Sequence, residues 1–80
     1  GQTASILAKI DELLAAAGTD KSRVLKANIW LSDISTWGEM NEVWTQWVDP
    51  DATPARATVE APLARPEIKV EIMVEAAVDD

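Results

Sequence analysis

Between Thr3 and Ala17 the apolar residues Ile6, Leu7, Ile10, Leu13, Leu14 and Ala17 recur at intervals of three and four, with Lys9, Asp11 and Glu12 on the opposite side. Residues three and four apart share one face of a helix, so this spacing predicts an amphipathic helix with a buried stripe. Thr3 is placed to cap its start, and Gly18 to close its end in the left-handed conformation. After the turn Gly18-Thr19-Asp20-Lys21 the period changes to two. Leu25, Ala27, Ile29 and Leu31 alternate with Val24, Lys26, Asn28 and Trp30, the pattern of a strand that commits its first set to a core.

A second helix is expected after Ser32-Asp33-Ile34-Ser35-Thr36, where Thr36 and Glu39 have the spacing of a capping box. Trp37, Met40, Trp44, Trp47 and Val48 make its apolar stripe, and Glu39, Glu42 and Gln46 its solvated side. Gly38 lowers the local helix propensity by about 1 kcal/mol relative to alanine, so packing must hold this end. Asp49-Pro50-Asp51-Ala52-Thr53-Pro54 stops the helix by turn and proline chemistry.

Two further strands follow. Arg56, Thr58 and Glu60 alternate with Ala57, Val59 and Ala61, and Ile68, Val70, Ile72, Val74 and Ala76 alternate with Lys69, Glu71, Met73 and Glu75. In each, the apolar set is expected to face the helices. The loop Pro62-Leu63-Ala64-Arg65-Pro66 is expected to lead into antiparallel pairing of these two strands, its prolines excluding a two-residue hairpin. The order helix, strand, helix, strand, strand favours an α+β layer with both helices on one sheet face, formed as a single domain over residues 1–80.

Composition narrows the chemistry. With 80 residues, 48% of them hydrophobic and 26% charged, the chain fits one small domain whose core leaves a thin stability margin. Cysteine and histidine are both absent. That removes disulfides, thiol chemistry and the usual base that titrates near neutrality, and it leaves only oxygen ligands for any metal. The carboxylates show no metal-binding spacing, so neither a metal nor a cofactor is expected. Oligomerisation is the stabilising device that remains.

A net charge of −7 repels phosphates, and the basic residues Lys9, Lys21, Arg23, Lys26, Arg56, Arg65 and Lys69 form no stripe, so nucleic acid is not an expected partner. No apolar run approaches the ~20 residues of a membrane span, and the start lacks the regions of a signal peptide. A cytoplasmic setting is the expectation. Gly1 standing directly before a helix suggests a cleaved chain, a partial gene or a tag remnant. Asp79-Asp80 reads as a solvated tail.

The informative surface is the second sheet face, expected to collect Lys26, Asn28, Trp30, Arg56, Thr58, Lys69, Glu71, Met73 and Glu75. A solvated face with a structural Arg–Glu pair is its ordinary reading. In a cleft shielded from water, the same pair would bind an anion through the Arg56 fork and position a water through the Glu71 carboxylate. Lys26 as a Schiff-base lysine would need a desolvated amine, whereas an exposed strand lysine is the common case. The tryptophans read as packing residues, because Trp37, Trp44 and Trp47 share one helix stripe.

Several stretches together resemble the Rid (YjgF-like) family over essentially the whole chain. They are Gln2-Thr3 opening a helix that ends Ala15-Ala16-Ala17-Gly18, the strand from Val24 to Asp33, the run Trp37-Gly38-Glu39-Met40-Asn41-Glu42-Val43-Trp44, Pro54-Ala55-Arg56-Ala57-Thr58-Val59, and Val70-Glu71-Ile72. The tryptophans and the loop Ala64-Arg65-Pro66-Glu67-Ile68-Lys69 are most similar to its YoaB-type branch. The resemblance implies a chorismate-mutase-like subunit, with two helices on a mixed sheet, that assembles as a homotrimer with sheets inward and three clefts between subunits. It further implies that Arg56 grips the carboxylate of a 2-imino or 2-enamino acid such as 2-aminoacrylate. Glu71 would orient the water that yields a 2-keto acid and ammonia, without a cofactor. Asn41 and Thr58 match further cleft positions, although position 58 is a cysteine in many members.

The family also begins with a β-hairpin and a third strand that bring a tyrosine and a serine to the cleft; this chain has neither those strands nor any tyrosine. Besides a structural fragment that only packs as a trimer, two other readings accompany the deaminase. One is a trimer that holds small carboxylates without turnover. The other is the ribonuclease or translation-inhibitor role of older family names, which the acidic surface argues against.

Overall fold

Strand β1 (Val24–Leu31) lies at the centre of a three-stranded mixed sheet, with β2 (Ala55–Glu60) parallel on one side and β3 (Val70–Ala76) antiparallel on the other. Helices α1 (Gln2–Ala16) and α2 (Trp37–Trp47) complete the layer, and short 3-10 turns at Lys21–Arg23 and Ile34–Thr36 precede β1 and α2. This computed structural model describes residues 1–78; the Asp79-Asp80 tail lies outside the described residues. The core is where the expected stripes meet. Leu7, Ile10 and Leu14 of α1 and Met40 and Trp44 of α2 cover Val24, Ala27, Ile29 and Leu31 of β1 and Val70 of β3.

The end of α1 follows the expected chemistry. Gly18 has φ +82°, its N–H bonds the Ala15 carbonyl, and the Thr19 N–H reaches back to the Leu14 carbonyl, which together make a Schellman closure. A Cβ at Gly18 would meet no atom within 4 Å, so the cost of a side chain there is the backbone's alone. Gly18→Ala is expected to lower stability by about 1 kcal/mol, read as a lower urea midpoint at unchanged slope.

Both ends of α1 are tied to the residues that flank β3. The Gln2 side chain donates to the Glu67 carbonyl and accepts from the Lys69 N–H, each at 2.7 Å. At the other end the Thr19 hydroxyl donates to the Ala77 carbonyl at 2.7 Å. The helices are joined by Trp47, whose indole N–H donates to Asp11 at 3.0 Å while Lys21 lies over its ring.

Five expectations are corrected. Thr3 is not the cap of α1: Gly1 holds that position and no side chain caps the helix. The Thr36–Glu39 capping box does not form, because the 3-10 turn brings the Thr36 hydroxyl onto the Asp33 carbonyl instead. Leu13 is 69% exposed; only one layer lies beneath α1, and the narrower stripe of Leu7, Ile10 and Leu14 covers it. Leu25 is 64% exposed and Val24 buried in its place, because a bulge shifts the register between Val24 and Lys26 and reverses the alternation there. Finally, β2 and β3 do not pair with each other. The crossover through α2 returns β2 parallel to β1, as such units require, and β3 takes the other side of β1.

Candidate functional site

The register decides which side chains meet. Arg56 pairs with Ala27 and Thr58 with Ile29, and lateral neighbours in a sheet point the same way. Arg56 and Thr58 therefore share the face of the buried Ala27 and Ile29, beneath α2. The expected phase of β2 is inverted: Ala57 and Val59 turn to the open face, and the polar set turns to the helix. The reason lies in the partners. The apolar set is small and gains little by burial, whereas Arg56 and Glu60 on the helix side find contacts that offset their desolvation.

Arg56 Nη1 donates to the Asn41 side-chain oxygen at 2.6 Å. Its guanidinium carbon lies 5.6 Å from the Trp37 ring centre and 5.7 Å from that of Trp44, within the range of cation–π attraction. Glu60, two positions beyond Thr58, accepts from the Ile34 N–H at 2.8 Å. Trp37, Asn41 and Trp44 are spaced four and three apart on α2, so one helix face supplies all three contacts to Arg56. Sequence reading assigned these tryptophans to packing; the same spacing, set against an arginine on a strand, was the available signal for their second role.

Two features mark this arginine. Among the described residues no carboxylate pairs with it, in a chain that has 14 acidic side chains against 7 basic ones. Beside it, the Thr58 hydroxyl oxygen is shielded from solvent and bonds no partner. The site therefore offers a half-buried, oriented guanidinium with unused N–H donors, a neutral amide that holds it, and a spare hydroxyl. This arrangement can take an anion edge-on in the guanidinium plane.

Glu71 is not part of this group in a single chain. It pairs with Trp30 on the far side of β1, and because position 30 is an odd step from position 27, Glu71 points to the opposite face from Arg56. The expectation of one shared face for the pair is thus corrected. The open face instead carries Asn28, Trp30, Ala57, Val59, Glu71 and Met73, with Val59 and Met73 exposed. Lys26 is exposed, without the desolvation that a Schiff-base lysine needs.

The carboxyls held below the usual range are elsewhere. Asp20 and Asp33 accept hydrogen bonds from the hydroxyl and backbone N–H of Ser22 and Ser35, and these bonds favour the ionised form. Both cap the 3-10 turns and serve local structure. A hollow of about 350 Å³ lined by Leu31, Thr36, Met40 and Val70 lies near the start of α1, without Arg56. Arg56 occupies a sheet edge, and a further surface is needed to enclose it. Among the described residues no group of three acidic side chains is placed to hold a metal, and no helix is long and apolar enough to cross a membrane.

Comparison with known proteins agrees with this architecture. Residues 1–78 match the family described as endoribonuclease L-PSP. The RutC family protein YoaB of Escherichia coli is 46% identical over 77 residues, covering 96% of this chain and 68% of its own length. The crystal structure of a YjgF family member from Neisseria meningitidis superposes with a TM-score of 0.96 at 54% identity, covering 99% of this chain and 66% of that one. A more distant relative, the chloroplastic Reactive Intermediate Deaminase A of Arabidopsis thaliana, is 34% identical over 71 residues, 89% of this chain and 37% of its own length. The chain thus spans about two thirds of the length of its bacterial relatives, and its two helices on a mixed sheet are the chorismate-mutase-like layer of the YjgF proteins.

Proposed function

Because the chain belongs to the endoribonuclease L-PSP family, in its Rid and RutC/YoaB-like branch, we propose that it hydrolyses 2-imino and 2-enamino acids of the 2-aminoacrylate type to 2-keto acids and ammonia. The observation that carries this reading is Arg56, an oriented guanidinium with no carboxylate partner among the described residues. Arg56 binds the substrate carboxylate, Asn41 fixes the guanidinium, and Thr58 lines the same side. Water adds to the imine carbon and ammonia departs from it, leaving the keto group. Imine carbons are electrophilic already, so orientation of one water by a carboxylate supplies a useful factor, about 10²–10⁴, and the reaction needs no cofactor. The name of the Arabidopsis relative is consistent with this chemistry.

Glu71 reaches such a substrate only if a second copy presents it, since within one chain it faces away from Arg56. The proposed assembly is a homotrimer whose open sheet faces turn inward. Exposed Val59 and Met73 on that face suit burial between copies. The proposed setting is cytoplasmic, because nothing in a chain without cysteine depends on an oxidising compartment. A nucleic-acid substrate fits poorly with a net charge of −7.

The test supplies 2-aminoacrylate generated in the assay and follows keto acid or ammonia while light scattering gives the assembled mass. Release well above the spontaneous rate from a three-copy particle is expected. An intact trimer that leaves the spontaneous rate unchanged would sink the enzymatic reading. The separation of Glu71 from Arg56 in one chain favours one alternative, a trimer that binds small carboxylates without turnover. Saturable binding lost in Arg56→Ala, with no product formed, would establish it.

A further inference from the structure

Trp37 does more at this site than packing requires. The other ring near the guanidinium, Trp44, is 5% exposed and belongs to the core, whereas Trp37 is 41% exposed. The guanidinium carbon is 5.6 Å from the Trp37 ring centre, so an exposed indole adjoins the cation. Ile34, three residues earlier in the adjoining 3-10 turn, is also exposed, and residues three apart in such a turn lie on one side. Trp37 and Ile34 thus form an apolar strip beside the cation. Where the strip passes Ile34, the Glu60 carboxylate is fixed on the Ile34 N–H.

We propose that Trp37 determines substrate specificity at the Arg56 site, its open indole face receiving a planar or apolar side chain of a 2-oxo or 2-imino acid whose carboxylate Arg56 holds. This rests on the carboxylate reading of Arg56. A planar guanidinium donates its N–H bonds along its edge, so the ligand's carboxylate lies in the guanidinium plane. The substituent beyond the carboxylate then runs along the exposed indole. A flat or apolar group gains contact there, a short one gains little, and an acidic one meets Glu60. The selected class is neutral side chains with area to stack.

Titration calorimetry on the 80-residue chain with phenylpyruvate, 2-oxobutanoate and 2-oxoglutarate tests this. Phenylpyruvate is expected to bind most tightly and 2-oxoglutarate most weakly. Trp37→Ala should weaken phenylpyruvate by about 3- to 10-fold, the worth of one aromatic contact, and 2-oxobutanoate by less than about 2-fold. Trp37→Phe should keep most of the preference. Trp37→Leu, which retains apolar bulk, guards against misfolding of the alanine variant and should lose the preference while still binding 2-oxobutanoate. Equal losses for both ligands would reduce Trp37 to a support for Arg56, and no loss for either would remove it from the site; both outcomes overturn the inference and leave the carboxylate anchor standing. Failure of the wild-type chain to bind any of the three acids would overturn the anchor itself, and the inference with it.

Discussion

Arg56→Ala is expected to abolish saturable binding of small 2-keto acids, a loss of about 100-fold or more by calorimetry. The magnitude follows from removing one partner of a shielded, charge-assisted contact, which costs about 2–5 kcal/mol. Arg56→Lys separates charge from shape. It keeps the cation but loses the planar fork that matches a carboxylate and the flat surface that lies near Trp37 and Trp44, so about a tenfold loss is expected. The alanine variant also leaves the Asn41 oxygen without its 2.6 Å donor, at about 1–3 kcal/mol of stability. Far-UV circular dichroism must therefore show a folded chain before the binding result counts. Unchanged affinity in folded Arg56→Ala would place the anion site elsewhere.

The largest stability effect is expected from Ile29→Ala. Ile29 is fully buried in the central strand, where it pairs with Thr58 on one side and Ile72 on the other, so neither neighbour can move to fill the space. Truncations of this kind cost about 2–5 kcal/mol. An 80-residue domain has only about 4–12 kcal/mol in total, so the variant should lose a large share of its stability. Leu13→Ala is the control: although Leu13 stands in the apparent stripe of α1, its exposure limits the change to about 0.5 kcal/mol. Urea unfolding curves for the two variants distinguish them, and similar midpoints would contradict the burial assignment.

The comparison of Ile29 with Leu13 shows what periodicity can and cannot carry. Both helices, the three strands and the core phases of Ala27-Ile29-Leu31 and Val70-Ile72-Val74 were legible, because the residues that decide them are neighbours in sequence. The phase of β2 was not. Its apolar set is too small to dominate, and the contacts that turn Arg56 and Glu60 to the helix side come from Asn41, Trp37, Trp44 and Ile34, residues 12 to 26 positions away. The bulge at Leu25 and the partner choice of β3 were hidden for the same reason. At the candidate site, Arg56, Asn41 and Thr58 were singled out and stand together on the helix side. Glu71 was singled out with them and stands on the other face, a separation that only the register reveals.

The clamps at Gln2 and Thr19 carry a kinetic consequence. They join residues 58 to 67 positions apart, so the first helix cannot be locked in place until the last strand has docked. Local helix formation takes about a microsecond, whereas closing contacts across most of a chain is far slower. Helical signal should therefore appear early in refolding, and protection of the Lys69 amide from hydrogen exchange should arrive only with the final step.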